Sequence, residues 1–299
     1  MATTFLGGDL KLIANKVVSN TSETLLPMQS FALNVESSGL YYGDSTQVFV
    51  PGAAPTATAY NDASNNYMTD NGGNHAWKPI VLDQHVKITF KIPPQKFDKV
   101  DGDGLAALFK GAAIKVADKI TDDVFAKITA ASFPHFHPVG QSMNFDKTEA
   151  GKAETALAKL VGAGGTRNLI LNFDYFDALR DSLSGMYANP TNNEVLRNGS
   201  IPGICGFAAT MRTSSLKSDT PFVGIATNMS GIALSVAAVK QVPTFDGEVE
   251  VAVEENTKIP LTFSVDYSKD TRVYVATVEA IYGIAVMAPE GILRLTAGA

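Results

Sequence analysis

The sequence predicts an α+β fold in which one long helix is supported by strands from both ends of the chain. Apolar residues recur at helical spacing across residues 101–132, with no proline between them. Apolar and polar residues alternate across residues 86–92, and the chain after residue 204 is rich in short apolar runs typical of strands. At a rise of about 1.5 Å per residue the helix would be about 45 Å long, so we expect it to be the main structural support. Its predicted buried face consists of Leu105, Leu108, Phe109, Ala112, Val116, Ile120, Val124 and Ile128.

The N-terminal segment, residues 1–46, is expected to form an arm. A helical pattern covers residues 10–18 and ends at Asn20 and Thr21, after which the sequence is polar and predicts an extended chain. The segment lacks the basic start and long apolar run of a signal peptide. We therefore expect the protein to be made in a reducing cytoplasm.

Residues 47–92 predict an extended loop. Strand signals at residues 47–50 and 77–80 flank a stretch in which glycine, alanine, asparagine, serine and threonine dominate. Such a stretch cannot bury a core of its own, and an isolated two-stranded hairpin is marginal in water. We expect the loop to lie on another molecule, such as a second subunit. Its candidate anchors are Tyr41, Tyr42, Tyr60, Tyr67 and Trp77, which lack the basic neighbours that nucleobase stacking needs.

The rest of the chain predicts short helices that alternate with strands. Helices are expected at residues 148–160 and 174–186, with a short buried strand at 168–172 between them. After residue 204 the pattern is mostly β. Strands are expected at residues 207–211, 222–228, 261–267, 271–287 and 291–296, with a helical or apolar segment at 232–239.

Composition limits the function classes. The chain has 299 residues, a net charge of −6 and 18% charged residues, below the average of about 25%. An acidic chain without lysine- or arginine-rich runs does not fit a protein that binds duplex DNA through its phosphates. No apolar stretch approaches the roughly 18 residues of a membrane span. Low charge is typical of surface that becomes interface, and it also fits a simple glycine- and alanine-rich soluble protein.

The sequence offers no catalytic, cofactor-binding or metal-binding residues, and we predict that the protein is not an enzyme. Cys205, the single cysteine, lies in an apolar run and is expected to be a small buried residue rather than a nucleophile. His135 and His137 have no third ligand nearby, so a metal site is not expected. The adjacent carboxylates at residues 122–123 and 254–255 should point apart and be solvated.

Two short patterns resemble ligand-binding loops but lack the rest of the motif. Asp101 and Asp103 suit the cap and first turn of the long helix, because the later calcium ligands are missing. The glycine-rich residues 162–165 follow a helix and lead into a strand, which is the reverse of the order that phosphate-binding loops need. Neither pattern indicates a cofactor.

The order of these parts resembles the major capsid proteins of tailed bacteriophages with the Hong Kong 97-like fold. TQVFVP at residues 46–51 resembles the strand that enters the family's extended loop, and IVLDQHVKITFKI at 80–92 resembles the returning strand. PGICGF at 202–207 resembles a local turn of the family. VEAIYGIAVMAPEG at 278–291 resembles its last pair of strands. The resemblance spans nearly the whole chain.

The resemblance implies a division into named parts. Residues 1–46 would be the N-terminal arm, and residues 47–92 the extended loop that reaches over an adjacent subunit. Residues 93–139 and 259–299 would form the peripheral domain with the spine helix at 101–132, and residues 140–258 the axial domain.

The resemblance also implies function and partners. Copies of the chain would assemble as pentamers and hexamers into an icosahedral shell around double-stranded DNA, without sequence-specific DNA binding and without a membrane. The location would be the virion capsid, assembled in the host cytoplasm. The chain has no room for the N-terminal scaffolding segment of some relatives, so a separate scaffolding protein is expected, with a portal and decoration proteins as further partners. Some relatives crosslink a lysine to an asparagine; Lys78 lies in the loop, but no partner can be placed for it.

Other interpretations stay open. An encapsulin-type protein compartment would share the fold and differ in its cargo. A β-rich binding module, or an enzyme without a recognisable motif, would exist as a stable monomer. We expect the capsid protein, and the sequence cannot show the cargo-docking groove that would distinguish a compartment.

Overall fold

Five helices and three β-sheets make up the part of the chain that the computed structural model describes. That part comprises residues 7–35, 37, 39–50, 76–93, 102–162, 165–184, 201, 203–217, 220–228, 231–239 and 247–298. The helices are α1 (Gly7–Val18), α2 (Ser22–Gln29), α3 (Gly102–Ala126), α4 (Lys147–Val161) and α5 (Phe173–Ser184). The strands are β1 (Ala32–Asn34), β2 (Ser45–Val50), β3 (Ala76–Val81), β4 (Gln84–Ile92), β5 (Phe136–Val139), β6 (Asn168–Leu171), β7 (Ala209–Arg212), β8 (Phe222–Thr227), β9 (Ile232–Ala237), β10 (Glu248–Val253), β11 (Pro260–Ser268), β12 (Val273–Val286) and β13 (Ile292–Ala297).

The first sheet is organised around β12. Its strands follow the order β1-β9-β12-β11-β10, and β4 also pairs with β12. Ile281 and Tyr282 of β12 pair with both β4 and β9, so those two strands lie on opposite sides of β12. The first half of β12 pairs with β11 and the second half with β9. The 14-residue strand β12 therefore connects all parts of this sheet.

Helix α3 packs on this sheet through the apolar face that its sequence predicts. Phe109 is fully buried and makes edge-to-face contacts with Phe90 of β4 and Phe263 of β11, with ring centroids 5.4 Å and 5.6 Å apart. All residues of the predicted face are buried except Leu108, which is 45% exposed. The contact with the sheet is thus narrower than the apolar stripe of the sequence.

Helix α3 ends at Ala126 rather than at the predicted residue 132. The N–H of Ile128 donates to the carbonyl of Phe125, three residues back, which is the tighter bonding of a final helical turn. The hydroxyl of Thr129 then accepts a hydrogen bond from the N–H of Ser132 at 3.2 Å, an alternative to helical bonding. The apolar pattern continues beyond the end of the helix because Ile128, although no longer helical, is still buried in the core.

The N-terminal segment is helical and buried where the sequence predicts an extended chain. A short 3₁₀ turn, Ser19–Thr21, connects α1 to α2, and β1 then pairs in parallel with β9. Pro27 favours a break in the sequence pattern, but it lies in the last turn of α2 and leaves the helix intact. The segment contributes Leu10, Ile13, Ala14, Val17, Val18, Leu25, Met28 and Phe31 to the main core.

The second sheet has the order β5-β13-β8-β6-β7 and lies between two apolar layers. Ile170 and Ile225 face the main core, whereas Leu169, Leu171 and Leu295 face α4 and α5. Strands β9 and β10 belong to the first sheet and β13 to the second. The sheets therefore do not follow the predicted boundaries at 139/140 and 258/259.

One other prediction differs from the structure, and two strands were not predicted. The segment at 232–239 is strand β9, and because every residue of β9 is buried, its sequence carries no alternation that would separate strand from helix. The strands that were not predicted are β5 and β10. The other predicted elements after residue 147 correspond to α4, β6, α5, β7, β8, β11, β12 and β13. Within the described residues no helix is long and apolar enough to cross a membrane.

Candidate assembly surface

The β2–β3 hairpin forms the base of the predicted extended loop. The two strands pair antiparallel, from Ser45 opposite Val81 to Val50 opposite Ala76. The residues between them, 51–75, include the predicted anchors Tyr60 and Tyr67 and lie outside the described residues. The site is therefore built from the hairpin base and the chain on either side of it.

The inner face of the hairpin base is buried against the first sheet. Val48, Val50 and Ile80 pack with Ala233 of β9 and with Met287, the residue after β12. Successive side chains of a strand point to opposite faces, so these alternating residues share one side. Fully burying a side chain of this size is worth about 1.5–3 kcal/mol, so the hairpin base belongs to the fold.

The outer face of the hairpin base carries exposed apolar side chains. Phe49 and Trp77 lie directly opposite each other and pack edge to face with ring centroids 5.4 Å apart. Phe49 is 45% exposed, Trp77 65% and Val81 45%, and Tyr41 and Tyr42 before β2 are 54% and 59% exposed. We call these five residues the aromatic face. Tyr and Trp are enriched in protein interfaces, and a cluster of exposed aromatics is typical of an interaction site.

Close backbone contact fixes the hairpin base to β12. A Cβ atom at Gly283 would lie 2.1 Å from the carbonyl oxygen of Val81, so only glycine fits there. The N–H of Gly43 donates to the carbonyl of Leu82, and the N–H of Leu82 donates to the carbonyl of Asp44, both at 2.9 Å. These contacts hold the start of β2 and the end of β3 together on the sheet.

No group of three or more His, Cys, Asp or Glu side chains suited to a metal lies among the described residues. His137 lies in β5, and burial lowers the pKa of its imidazole, which favours the neutral form.

Cys205 is half-buried in a tight turn closed by two backbone hydrogen bonds between Ile204 and Phe207, and its thiol lies 3.3 Å from the carbonyl of Lys147. These contacts give Cys205 a structural place in the turn.

Glu254 is buried, contrary to the prediction that it is solvated; only 2% of it is exposed. Its carboxylate accepts hydrogen bonds from the backbone N–H and hydroxyl of Thr257 at 2.6 Å and 2.7 Å, and from the N–H of Asn256 at 3.1 Å. Burial raises the pKa of this carboxyl, but the hydrogen bonds outweigh burial and leave the pKa below its ordinary value. The sequence gave no sign that Glu254 accepts these hydrogen bonds, because its donors are brought together only by the folding of the turn at residues 254–257.

The turn that Glu254 organises attaches the N-terminal segment to the first sheet. The side-chain amide of Asn34 donates to the carbonyl of Thr257 at 2.8 Å, and that of Gln29 donates to the carbonyl of Asn256 at 2.5 Å. The Asn256 amide in turn donates to the Ser22 hydroxyl at 3.0 Å.

Asp123 of α3 was also predicted to be solvated, but its carboxylate pairs with Lys119 and accepts a hydrogen bond from the Tyr282 hydroxyl.

Solved structures match the chain over nearly its full length. The structure of Gordonia phage Cozz matches with a TM-score of 0.59 at 11% identity, over 93% of this chain and 87% of that one. The capsid structure of the cyanophage P-SCSP1u matches with a TM-score of 0.54 at 12% identity, over 90% and 86%. The chain has the fold of phage major capsid proteins. The virus-like particle from Pyrococcus furiosus shares this capsid fold, with a TM-score of 0.52 at 16% identity over 96% and 98% of the two chains.

Comparison of structures detects the capsid fold, whereas comparison with family models and curated sequences does not. No protein-family model matches the sequence, and no curated protein sequence matches it. Identities of 11–16% establish the capsid fold alone. Within that fold, the predicted anchors Tyr41, Tyr42 and Trp77 lie close to the hairpin and are exposed. Phe49 and Val81 were not predicted as anchors, although the strand alternation places them on the same outer face as Trp77.

Proposed function

We propose that this chain is a major capsid protein of the Hong Kong 97-like type, which assembles as pentamers and hexamers into an icosahedral shell around double-stranded DNA. The observation that carries the proposal is the aromatic face on a hairpin whose base is buried in a capsid fold. A single chain leaves this face in water, and a second copy in a repeated shell would cover it. Its role is structural and not enzymatic.

The proposal includes the partners and location that the fold suggests. A separate scaffolding protein, a portal and decoration proteins would complete the particle, which would assemble in the host cytoplasm and become the virion capsid. The net charge of −6 supports a wall that holds DNA without sequence-specific binding. The first sheet with α3 would form the peripheral domain, and the second sheet with α4 and α5 the axial domain.

An encapsulin-type compartment is the second candidate. It is favoured by the virus-like particle from Pyrococcus furiosus, which the chain matches over 98% of that protein's length. The two candidates differ in content. Particles purified from cells that also express the neighbouring genes should protect double-stranded DNA from nuclease if the shell is a capsid, and should contain a folded protein cargo if it is a compartment.

The assembly claim is tested by expressing the chain alone and with its neighbouring genes, followed by sedimentation and negative-stain electron microscopy. We expect shells, tubes or capsomers. A chain that stays monomeric under every condition would contradict both candidates.

The role of the aromatic face is tested by the double substitution Phe49→Ser with Trp77→Ser. It should leave a folded subunit that no longer assembles, because the face loses its apolar contact area. The conservative pair Phe49→Tyr with Trp77→Phe keeps ring packing and should assemble. Normal assembly of the serine variant would show that another surface joins the copies.

The extended loop is tested separately by deleting residues 52–74. The deletion should leave a folded subunit and abolish assembly, since the hairpin base, which the deletion keeps, is buried against the first sheet. A subunit that fails to fold after the deletion would show that the loop belongs to the core.

A further inference from the structure

Lys78 makes an attachment between the hairpin and the main sheet that the capsid role leaves unexplained. It lies in β3 opposite Val48, on the inner face of the hairpin. Its ammonium group donates hydrogen bonds to the carbonyl oxygens of Val286 and Met287, at 3.1 Å and 3.2 Å. Both acceptors lie at the end of β12, so the bonds join the hairpin to the main sheet.

The position of this contact gives it a mechanical consequence. The hairpin also contacts β12 at Gly283, against the carbonyl of Val81, and its apolar inner face packs on Ala233 and Met287. At about 3.3 Å per residue, residues 283 and 286–287 lie about 10–13 Å apart along the strand. Apolar packing is not directional, so the hydrogen bonds of Lys78 add a second directional contact, away from Gly283, that restricts the angle between the hairpin and the sheet.

The surroundings of Lys78 suit a defined contact. The residue is half-buried, and its neighbours on the inner face, Val50 and Ile80, are buried. The aliphatic stem of a lysine can cover apolar surface of this kind while its ammonium reaches polar atoms. An apolar residue of the same length would fill the space without holding the two carbonyls.

We propose that Lys78 sets the angle at which the hairpin leaves the subunit, and through that angle the curvature of the shell. This inference rests on the proposed function. In a shell of identical copies, the rotation between neighbours decides whether contacts close or continue into open structures. The aromatic face lies on the hairpin, so its direction follows the hairpin angle.

The test substitutes Lys78→Met, which keeps the length of the side chain and removes its N–H donors. The matched control is Lys87→Met, which removes an equal charge from an exposed position in β4. Particles of both variants and of the native chain are compared by electron microscopy and analytical sedimentation. We expect Lys78→Met to give particles of mixed size, tubes or open sheets, and Lys87→Met to give the native distribution.

Hydrogen exchange separates a change of angle from a loss of fold. In unassembled Lys78→Met subunits, amides of β2 and β3 should exchange faster than in the native chain, while those of α3 and β12 stay protected. Lys78→Arg, which restores donors, should recover uniform particles. Should Lys78→Met not fold, Lys78→Thr takes its place, because it suits a half-buried strand position and its side chain is too short to reach the two carbonyls.

Uniform particles of native size from Lys78→Met, or from Lys78→Thr in its place, would overturn the inference and leave the proposed function intact. A native chain that never assembles would overturn the proposed function itself. The two failures are therefore distinguishable in the same set of samples.

Discussion

Helix α3 and the β2–β3 hairpin are both built from regularly spaced apolar residues, but the fold uses them differently. Along α3 the apolar side chains form one stripe, which is buried against the sheet except at Leu108. In the hairpin the apolar residues occupy both faces, so that Val48 and Ile80 are buried while Phe49 and Trp77 are exposed. A helix with one apolar stripe can bury that stripe within its own chain, whereas this hairpin buries one apolar face on the first sheet and leaves the other exposed.

This difference agrees with the proposed role of the chain as a shell subunit. The contacts of the core around α3 are made within the chain. Under the proposed function, the exposed apolar side of the hairpin would contact another copy. Substitutions in the two regions should therefore differ in how strongly they affect the stability of the subunit and its assembly.

The largest effect is expected in the core. Phe109→Ala removes a fully buried ring that touches Phe90 and Phe263, and it should destabilise the subunit by about 3–5 kcal/mol. The neighbouring change Leu108→Ala should cost only about 0.5 kcal/mol, because that side chain is half-exposed. Denaturant unfolding of unassembled subunits measures both. Similar losses at the two positions would contradict the one-sided burial of α3.

The attachment of the N-terminal segment should show a pH dependence. The pKa of Glu254 is lowered in the folded state, so its contribution is fully present above the ordinary value of 4.5 and is lost as the pH falls through the folded-state pKa. Glu254→Gln removes a charged acceptor and should cost about 1.5–3 kcal/mol at neutral pH. Unfolding at neutral and acidic pH measures the effect, which should shrink in acid.

Glu255→Gln is the matched control for this prediction, since Glu255 is the exposed neighbour. It should leave the free energy of unfolding nearly unchanged at both pH values. An equal loss in the two variants would mean that net charge, rather than the hydrogen bonds of Glu254, sets the acid sensitivity.

The contact between hairpin and sheet should tolerate no side chain at its closest point. Gly283→Ala forces a Cβ against the carbonyl of Val81, a backbone atom that cannot rotate away, and should cost about 1–3 kcal/mol. Gly111→Ala, on the open side of α3, should instead stabilise by about 0.5–1 kcal/mol. Thermal unfolding compares the two. A neutral Gly283→Ala would show that the hairpin base moves freely on β12.

The smallest effect on the subunit itself is expected at the aromatic face. Phe49→Ser with Trp77→Ser should change the free energy of unfolding of unassembled subunits by about 0.5 kcal/mol per site, because both side chains are exposed. The same variant should lose assembly. A loss of stability as large as that of Phe109→Ala would place the face within the core.

Much of the fold could be predicted because its signals are local. The buried face of α3, the alternation of β4 and the hairpin strands follow from helical and strand periodicity. The end of α3 was misplaced because Ile128 continues the apolar pattern after the hydrogen bonding has changed. The helix α2 was missed because the polar residues after Thr21 predict an extended chain, and β9 was ambiguous because burial on both faces removes any alternation.

The candidate site was predicted in part for the same reason. Tyr41, Tyr42 and Trp77 were identified as anchors from their place in a charge-poor segment, and they are exposed. The roles of Lys78, Gly283 and Glu254 could not be predicted, since their partners lie in other elements or in the geometry of a turn. Lys78, for example, contacts carbonyls more than two hundred residues further along the chain.

The sequence by itself determined most of the helices and strands, the apolar face of α3 and the alternation of the hairpin strands. These properties depend on the spacing of neighbouring residues. Only the tertiary structure decided that β9, β10 and the N-terminal helices join the first sheet and its core, that Glu254 is buried, and which hairpin face stays exposed. Those outcomes depend on contacts between residues distant in the chain, where free energy comes from packing and hydrogen bonds that periodicity does not encode.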